Sequence, residues 1–226
     1  MNTNRGNFIP DNLRAPKYPV DLRKVNPVSL FSTRWLLWAL AFTRAYASGR
    51  LLDVGCGPQP YREFYAIQQH IGVDWPSSGH QLNIDAFADA QILPFAAGSF
   101  DTVLCSEVIE HLPRPWEAIA EMARVLNPGG YLILTAPFVH GLHEHPHDYF
   151  RFTGYGLLAL VRQYNFEPVT ICQRGGTLSV IFDQSMRLLA AWLRAAMRRL
   201  HIPAKLQSSI LRLAITLPQR LAAWLT

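Results

Sequence analysis

A carboxylate and two glycines stand close together in Leu51-Leu52-Asp53-Val54-Gly55-Cys56-Gly57-Pro58. Glycines two apart let the backbone turn sharply and leave no Cβ in the way of a ligand. The apolar run before them reads as a short buried strand. After them, Tyr61, Phe64 and Tyr65 fall at helical spacing, so a helix is expected over about 60–67. Strand, glycine loop and helix in that order place a nucleotide-like ligand at the helix N-terminus.

The residues discriminate among such ligands. A dinucleotide fingerprint has a third glycine three residues after the second. Pro60 stands there, which disfavours a nicotinamide cofactor. Asp53 puts a carboxylate at the strand end, which suits a cationic ligand better than a pyrophosphate. S-adenosylmethionine carries a sulfonium and an ammonium and no phosphate. A second short strand, Ile71-Gly72-Val73-Asp74, also ends in an acid. A carboxylate there can accept both hydroxyls of a ribose. The alternative is a solvated loop aspartate. Asp89, in Ala88-Asp89-Ala90, is placed to accept from an adenine amino group, whereas Asp101 opens the buried strand Phe100–Cys105 structurally.

A second chemical stretch runs from His140 to Thr153, with His140, His143, His145 and His147 inside eight residues. Such density can bind a metal. Pro146 and the loop setting do not fix two ligands on one helix face, so no metal is expected. The stretch follows a strand end and reads as an acceptor-side loop. His147 or His145 is a candidate base, Asp148 its orienting partner, and Arg151 an anion clamp, with Tyr149 beside them. The competing reading pairs Asp148 with Arg151 near a helix start at Thr153. His111 is a second candidate base, with a structural histidine as its alternative.

These groups need a scaffold. Strands at 51–54, 71–74, 100–105 and 131–135 alternate with helical stretches at 115–126 and 154–164, and Pro168–Cys172 reads as a further strand. That alternation gives an α/β fold with a doubly wound, mostly parallel sheet. Asn127-Pro128-Gly129-Gly130 reads as a turn. The 226 residues divide into an N-terminal arm and helix (1–48), the glycine-loop domain (49–177) and a basic helical tail (178–226). Charge follows this division. Residues 1–50 hold 8 Lys and Arg against 2 Asp and Glu, residues 51–177 hold 6 against 13, and residues 178–226 hold 7 against 1. Basic flanks around an acidic centre argue against a nucleic-acid groove over the middle. Cys56, Cys105 and Cys172 form neither a disulfide framework nor a zinc pattern, so a reducing, cytoplasmic setting is expected. No signal peptide is read in the first 27 residues.

In order, Leu-Asp-Val-Gly-Cys-Gly, Gly-Val-Asp, Asp-Ala-Gln-Ile-Leu-Pro-Phe, Glu-Val-Ile-Glu-His-Leu and Arg-Val-Leu-Asn-Pro-Gly-Gly-Tyr-Leu resemble the class I S-adenosylmethionine-dependent methyltransferases, type 11 subgroup. The resemblance covers roughly residues 49–175. It implies that Asp53, Gly55 and Gly57 hold the methionine end of S-adenosylmethionine. Asp74 then holds the ribose, Asp89 and the Ala90 backbone the adenine, and Glu107 lines the mouth toward the acceptor. Gln59 stands where the family usually has a third small residue. The family's sheet normally closes with an antiparallel strand, and none is found after Cys172.

The tail reads as basic amphipathic helices at 178–201 and 204–217, broken by Pro203 and Pro218. Arg187, Arg194 and Arg198 fall on one side of the first. Leu189, Trp192, Leu193, Ala196 and Leu200 fall on the other. Leu206, Ile210, Leu213 and Leu217 form the apolar face of the second. Such helices lie on an anionic membrane surface or pack against the domain or a second subunit. The expected activity is methyl transfer to a small-molecule, glycan or lipid-linked acceptor, peripheral on the inner membrane face. The alternative is a non-catalytic protein of the same fold that binds partners through its tail.

Overall fold

The computed structural model describes residues 30–76 and 84–224. The expected arm over residues 1–27 lies outside them. The chain divides into two compact units, one formed by Phe42–Ile171 and the other by α1 up to Ala41 together with the chain from Cys172.

In the first unit, five strands run parallel: β1 (Arg50–Val54), β2 (Gln69–Asp74), β3 (Ala86–Phe87), β4 (Phe100–Ser106) and β5 (Leu126–Thr135). Their order across the sheet is β3-β2-β1-β4-β5. The order reverses at β1, so a crevice opens beyond the carboxyl ends of β1 and β4, where such sheets bind ligands. The central strands are apolar because both faces are covered. Leu51, Leu52, Val103, Leu104 and Cys105 are fully buried.

The helix α3 (Pro115–Val125) begins with proline, whose missing N–H costs nothing in a first turn. Ala118, Ile119, Met122 and Val125 form its buried stripe. Near its end, Arg124 donates to the carbonyls of Leu93 (3.0 Å) and Phe95 (2.8 Å) and pairs with Glu121. Glu121 in turn accepts from Leu93 N at 2.8 Å. This fork fixes the loop that follows Asp89. The helix α4 (Gly154–Arg162) is capped by Thr153, whose hydroxyl accepts from Gly156 N. Leu157, Leu160 and Val161 join the core of the first unit.

Asp101 is structural, as expected. It accepts from Arg50 N and from Asn127 Nδ2, both at 2.8 Å, and so ties the starts of β1, β4 and β5 together. The expected turn at Asn127–Gly130 is instead a bulge inside β5. Phe100 pairs with Leu126 and Thr102 with Tyr131, so the extra residues loop out of the ladder. At Gly130 a Cβ would lie 2.9 Å from the Asp101 carbonyl oxygen.

Several expectations are corrected. The helix after the glycine loop is one turn, α2 (Arg62–Tyr65), too short to offer a helix N-terminus to a ligand. Pro168–Cys172 forms no strand, and Val169 and Ile171 are exposed. Pro168 has no N–H to give to a ladder. Among the described residues the sheet has no antiparallel closing strand.

In the second unit, α1 spans Leu30–Thr43, the long helix α5 spans Thr177–Arg199 and α6 spans Ala204–Trp224. Pro218 does not end α6. A proline removes one helical hydrogen bond and kinks a helix without always breaking it. The inward lines differ from those expected. On α5 they are Asp183, Ala190 and Met197, with Met186 and Leu189 packed near Ile215 and Leu211 of α6. Trp192, Leu200, Leu206 and Leu213 are exposed. Asp183 carries an ion pair within the helix. It is buried and draws the Arg187 Nε to 2.7 Å.

Gly130→Ala is expected to destabilise the first unit by about 1–3 kcal/mol through the forced shift of the bulge against β4. Urea denaturation followed by circular dichroism measures it, and an unchanged midpoint would show that the bulge gives way freely.

Candidate active site

The glycine loop leaves β1 and bends back onto β2. Gly55 N and Cys56 N both donate to the Val73 carbonyl, at 2.8 and 3.0 Å. Gly55 and Gly57 have φ of 69° and 51°, a region that favours glycine. A Cβ at Gly55 would collide with the Val108 side chain, which follows β4. Glycine there is what lets the ends of β1 and β4 approach. Gly57 N then donates to Asp74 Oδ2 at 3.0 Å, while Asp74 Oδ1 accepts from Trp75 N at 2.7 Å. The acid expected to hold a ribose is thus also the anchor of the loop.

A polar web not visible in the sequence supports the far side. Gln59 adopts φ 52°, unusual for a residue with a side chain. Its amide donates to Asp85 Oδ2 at 3.0 Å and accepts from Arg62 at 2.8 Å. Arg62 also reaches Asp85 at 3.1 Å and the His70 carbonyl at 2.9 Å. Asp85 accepts from Gly72 N at 2.8 Å as well. Burial raises the Asp85 carboxyl, but the bonds from Gly72, Gln59 and Arg62 outweigh it and hold the group below its ordinary range. Gln59 fills the space beside Gly72, where a Cβ would clash with its amide.

Asp53 is 1% exposed and faces His70, 2% exposed, with Nε2 and Oδ2 3.4 Å apart. Burial pushes the Asp53 carboxyl up. Attraction to His70 opposes this, and the nearby Asp74 charge adds to it. Among the described residues, Asp53 Oδ2 has no hydrogen-bond donor. Cys56, in the same loop, is 4% exposed, and burial with the charges of Asp53, Asp74 and Asp85 pushes its thiol up to about 12.

Asp89 closes its own turn, accepting from Gln91 N at 2.9 Å and from the Gln91 amide at 3.1 Å. Its side chain is exposed, and Ala90 beside it is buried. Glu107 has φ 58° at the end of β4, and its carboxylate accepts from the Thr135 hydroxyl at 2.9 Å.

The acceptor-side loop is tied to the end of β4. Tyr149 N and Phe150 N donate to the Glu110 carbonyl at 2.9 and 3.1 Å. His111 Nδ1 donates to the His147 carbonyl at 2.6 Å. Burial is the main reason that His111 titrates below its ordinary range. The expected Asp148–His147 pair is not formed. Asp148 instead accepts from both arms of Arg151, at 2.6 and 2.8 Å, and from His143 N at 2.9 Å. The pull of Arg151 keeps Asp148 strongly acidic. Arg151 also donates to the His140 and Phe150 carbonyls, so it staples the loop and is no free anion clamp. His147 faces other partners: its Nδ1 is 3.2 Å from the Tyr149 hydroxyl, and its ring is 5.1 Å from that of Trp75, next to Asp74. His145 is exposed.

The fold and this site define a Rossmann-like α/β domain with a carboxylate–glycine loop at the end of β1. Residues 52–134 match the family model described as a methyltransferase domain. An uncharacterised methyltransferase of Mycobacterium marinum is 38% identical over 110 residues, which is 44% of this chain and 43% of that protein. One of Mycobacterium tuberculosis is 34% identical over the same share of each. The chain therefore spans under half the length of these curated relatives. Among solved structures, the [4+2]-cyclase SpnF matches 74% of this chain and 70% of its own, at 24% identity and a TM-score of 0.53. That likeness shows the fold. Over residues 52–134 the chain is similar to methyltransferase domains, in agreement with the motifs.

Asp53→Asn tests the buried pair. A raised carboxyl is no burden below the ordinary aspartate value, and stability is lost as pH rises through the raised one. The substitution is expected to raise the melting temperature near neutral pH, by about 2–4 °C per kcal/mol gained, with the gain shrinking in mild acid. A lower melting temperature near neutral pH would show that the Asp53–His70 pair stabilises the fold on balance.

Proposed function

We propose that this chain transfers the methyl group of S-adenosylmethionine to a hydroxyl or similar nucleophile on a small-molecule, glycan or lipid-linked acceptor. The observation that carries this is the loop anchored by Asp74 at the switch point of the sheet. The donor set fits the cofactor. Asp53 offers a carboxylate at the end of β1, paired at 3.4 Å with His70 and of a charge type that suits an ammonium. Asp74 presents a carboxylate at the end of β2, held by Gly57 N and Trp75 N, and a carboxylate is the acceptor type suited to ribose hydroxyls. The nearest cation, Arg62, is committed to Asp85, which disfavours a pyrophosphate.

When bound, the cofactor supplies an activated methyl group and leaves as a neutral thioether, so no acid is needed. This chain's residues align the partners and exclude water. His147, beside Trp75 and the Tyr149 hydroxyl, is the base that takes the acceptor's proton. The exposed Phe138 and Leu142 offer apolar surface to an acceptor on the same loop.

A membrane-linked acceptor is the finer reading. It is supported by the exposed apolar stripe of Leu178, Ile181, Leu188 and Trp192 on α5, beside a surplus of arginine. Residues at this spacing share one helix face. No helix among the described residues is long and apolar enough to cross a membrane, so the contact would be peripheral.

Calorimetry with S-adenosylhomocysteine tests the cofactor. Binding is expected, with a loss of about 10–100-fold in Asp74→Ala. A folded wild type that does not bind would favour the non-catalytic alternative. His147→Ala is expected to keep cofactor affinity while turnover falls by about 10²–10⁴; unchanged turnover would remove His147 as base. Co-sedimentation with anionic liposomes is expected to weaken with salt, and no binding at low salt would leave a soluble acceptor.

A further inference from the structure

The fold brings together three groups that are separated in the sequence. Glu110 and His111 lie in the 3₁₀ turn after β4, and His143 lies in the acceptor-side loop. Each offers one ligand atom, and these atoms lie within 4.8 Å of one another. Glu110 is fully buried, His111 and His143 partly so.

Two features distinguish this cluster from a chance gathering of polar groups. The first is the way the histidines are held. His111 gives its Nδ1 hydrogen to the His147 carbonyl at 2.6 Å. His143 Nδ1 lies 3.1 Å from the Gly141 carbonyl and 3.3 Å from Asp148 Oδ2. Both rings thus have Nδ1 within reach of a carbonyl or carboxylate, and His111 turns its other nitrogen toward Glu110. Metal-ligating histidines are oriented in this way. The second is the facing pair. With Nδ1 as donor to the His147 carbonyl, His111 turns its Nε2 toward the Glu110 carboxylate, 3.6 Å away. A cation placed between that nitrogen and the carboxylate would be held by both.

We propose that Glu110, His111 and His143 bind one divalent transition-metal ion at the mouth of the site. Two imidazoles and one carboxylate suit zinc, iron(II), manganese or cobalt. Magnesium and calcium prefer oxygen ligands throughout. Three protein ligands leave coordination positions open, as in metal sites that take a substrate oxygen. On the methyl-transfer reading above, that oxygen belongs to the acceptor, and the ion eases loss of its proton. This reverses the expectation that the histidine-rich loop holds no metal. A loop reading compared only His140, His143, His145 and His147, whereas two of the ligands come from the end of another strand.

The test uses the whole chain, stripped with chelator and titrated with Zn2+, Mn2+ and Co2+ salts alone. One ion per chain is expected, with visible d–d bands for Co2+. His143→Ala, on the loop, should weaken binding more than about tenfold and abolish the bands. A His140→Ala/His145→Ala double variant should keep both. Absence of stoichiometric binding in the wild type would overturn the proposal. So would unchanged affinity in His143→Ala, or loss of binding in the double variant alone. S-adenosylhomocysteine binding by the stripped protein reads out the cofactor site separately, so the two readings fail independently.

Discussion

One hydrogen bond sets the geometry of this protein: Gly57 N to the Asp74 carboxylate. The loop after β1 has no long helix to close it, and besides the bonds of Gly55 N and Cys56 N to the Val73 carbonyl it depends on this one. The bond ties the loop to the tip of the neighbouring strand. The Gln59–Arg62–Asp85 web holds the other side. Between them, the loop is shaped before any ligand arrives. Its polar groups need little reordering on binding, which is what preorganisation requires. The same bond gives Asp74 a part in the loop's shape, so a change there alters that shape whatever else the residue does.

The opposite wall is built on a different principle. The stretch from His140 to Arg151 has no regular secondary structure, yet its backbone is well tied. Arg151 gathers three carbonyls and one carboxylate, and the Glu110 carbonyl accepts two N–H groups from the loop. A buried charge-assisted fork of this kind is stronger than neutral bonds and directional. It allows His143 and His147 to be presented from a loop with the steadiness of a strand end.

The sheet and the acids at its strand tips were legible in the sequence because their signals are local. Apolar runs ending in Asp53-Val54-Gly55 and Val73-Asp74 state both the strand and the acid at its tip. The tertiary partners of those acids were not legible. Nothing near His70 says that it pairs with Asp53 across two strands, since their meeting depends on register. Asp148 follows directly on His147, which suggests that pair, with Arg151 as the competing partner. Arg151, three residues on, is the stronger and better-aligned donor, and it wins. Helix faces failed for a similar reason. Periodicity grouped Trp192 with Leu189, but the buried line of α5 runs through Asp183, Ala190 and Met197, and Trp192 is exposed. Glu110 carried no sequence signal beyond its place after a strand.

The thiol of Cys56 bears on redox chemistry. It sits in the loop that would hold the cofactor, yet burial and three surrounding carboxylates keep it protonated far above neutral pH. Only the thiolate attacks oxidants and electrophiles at useful rates. A cysteine in so central a place is therefore an inert small apolar filler beneath Gly72. The loop can keep its shape through oxidative stress that disables enzymes with an ionised thiol at the site.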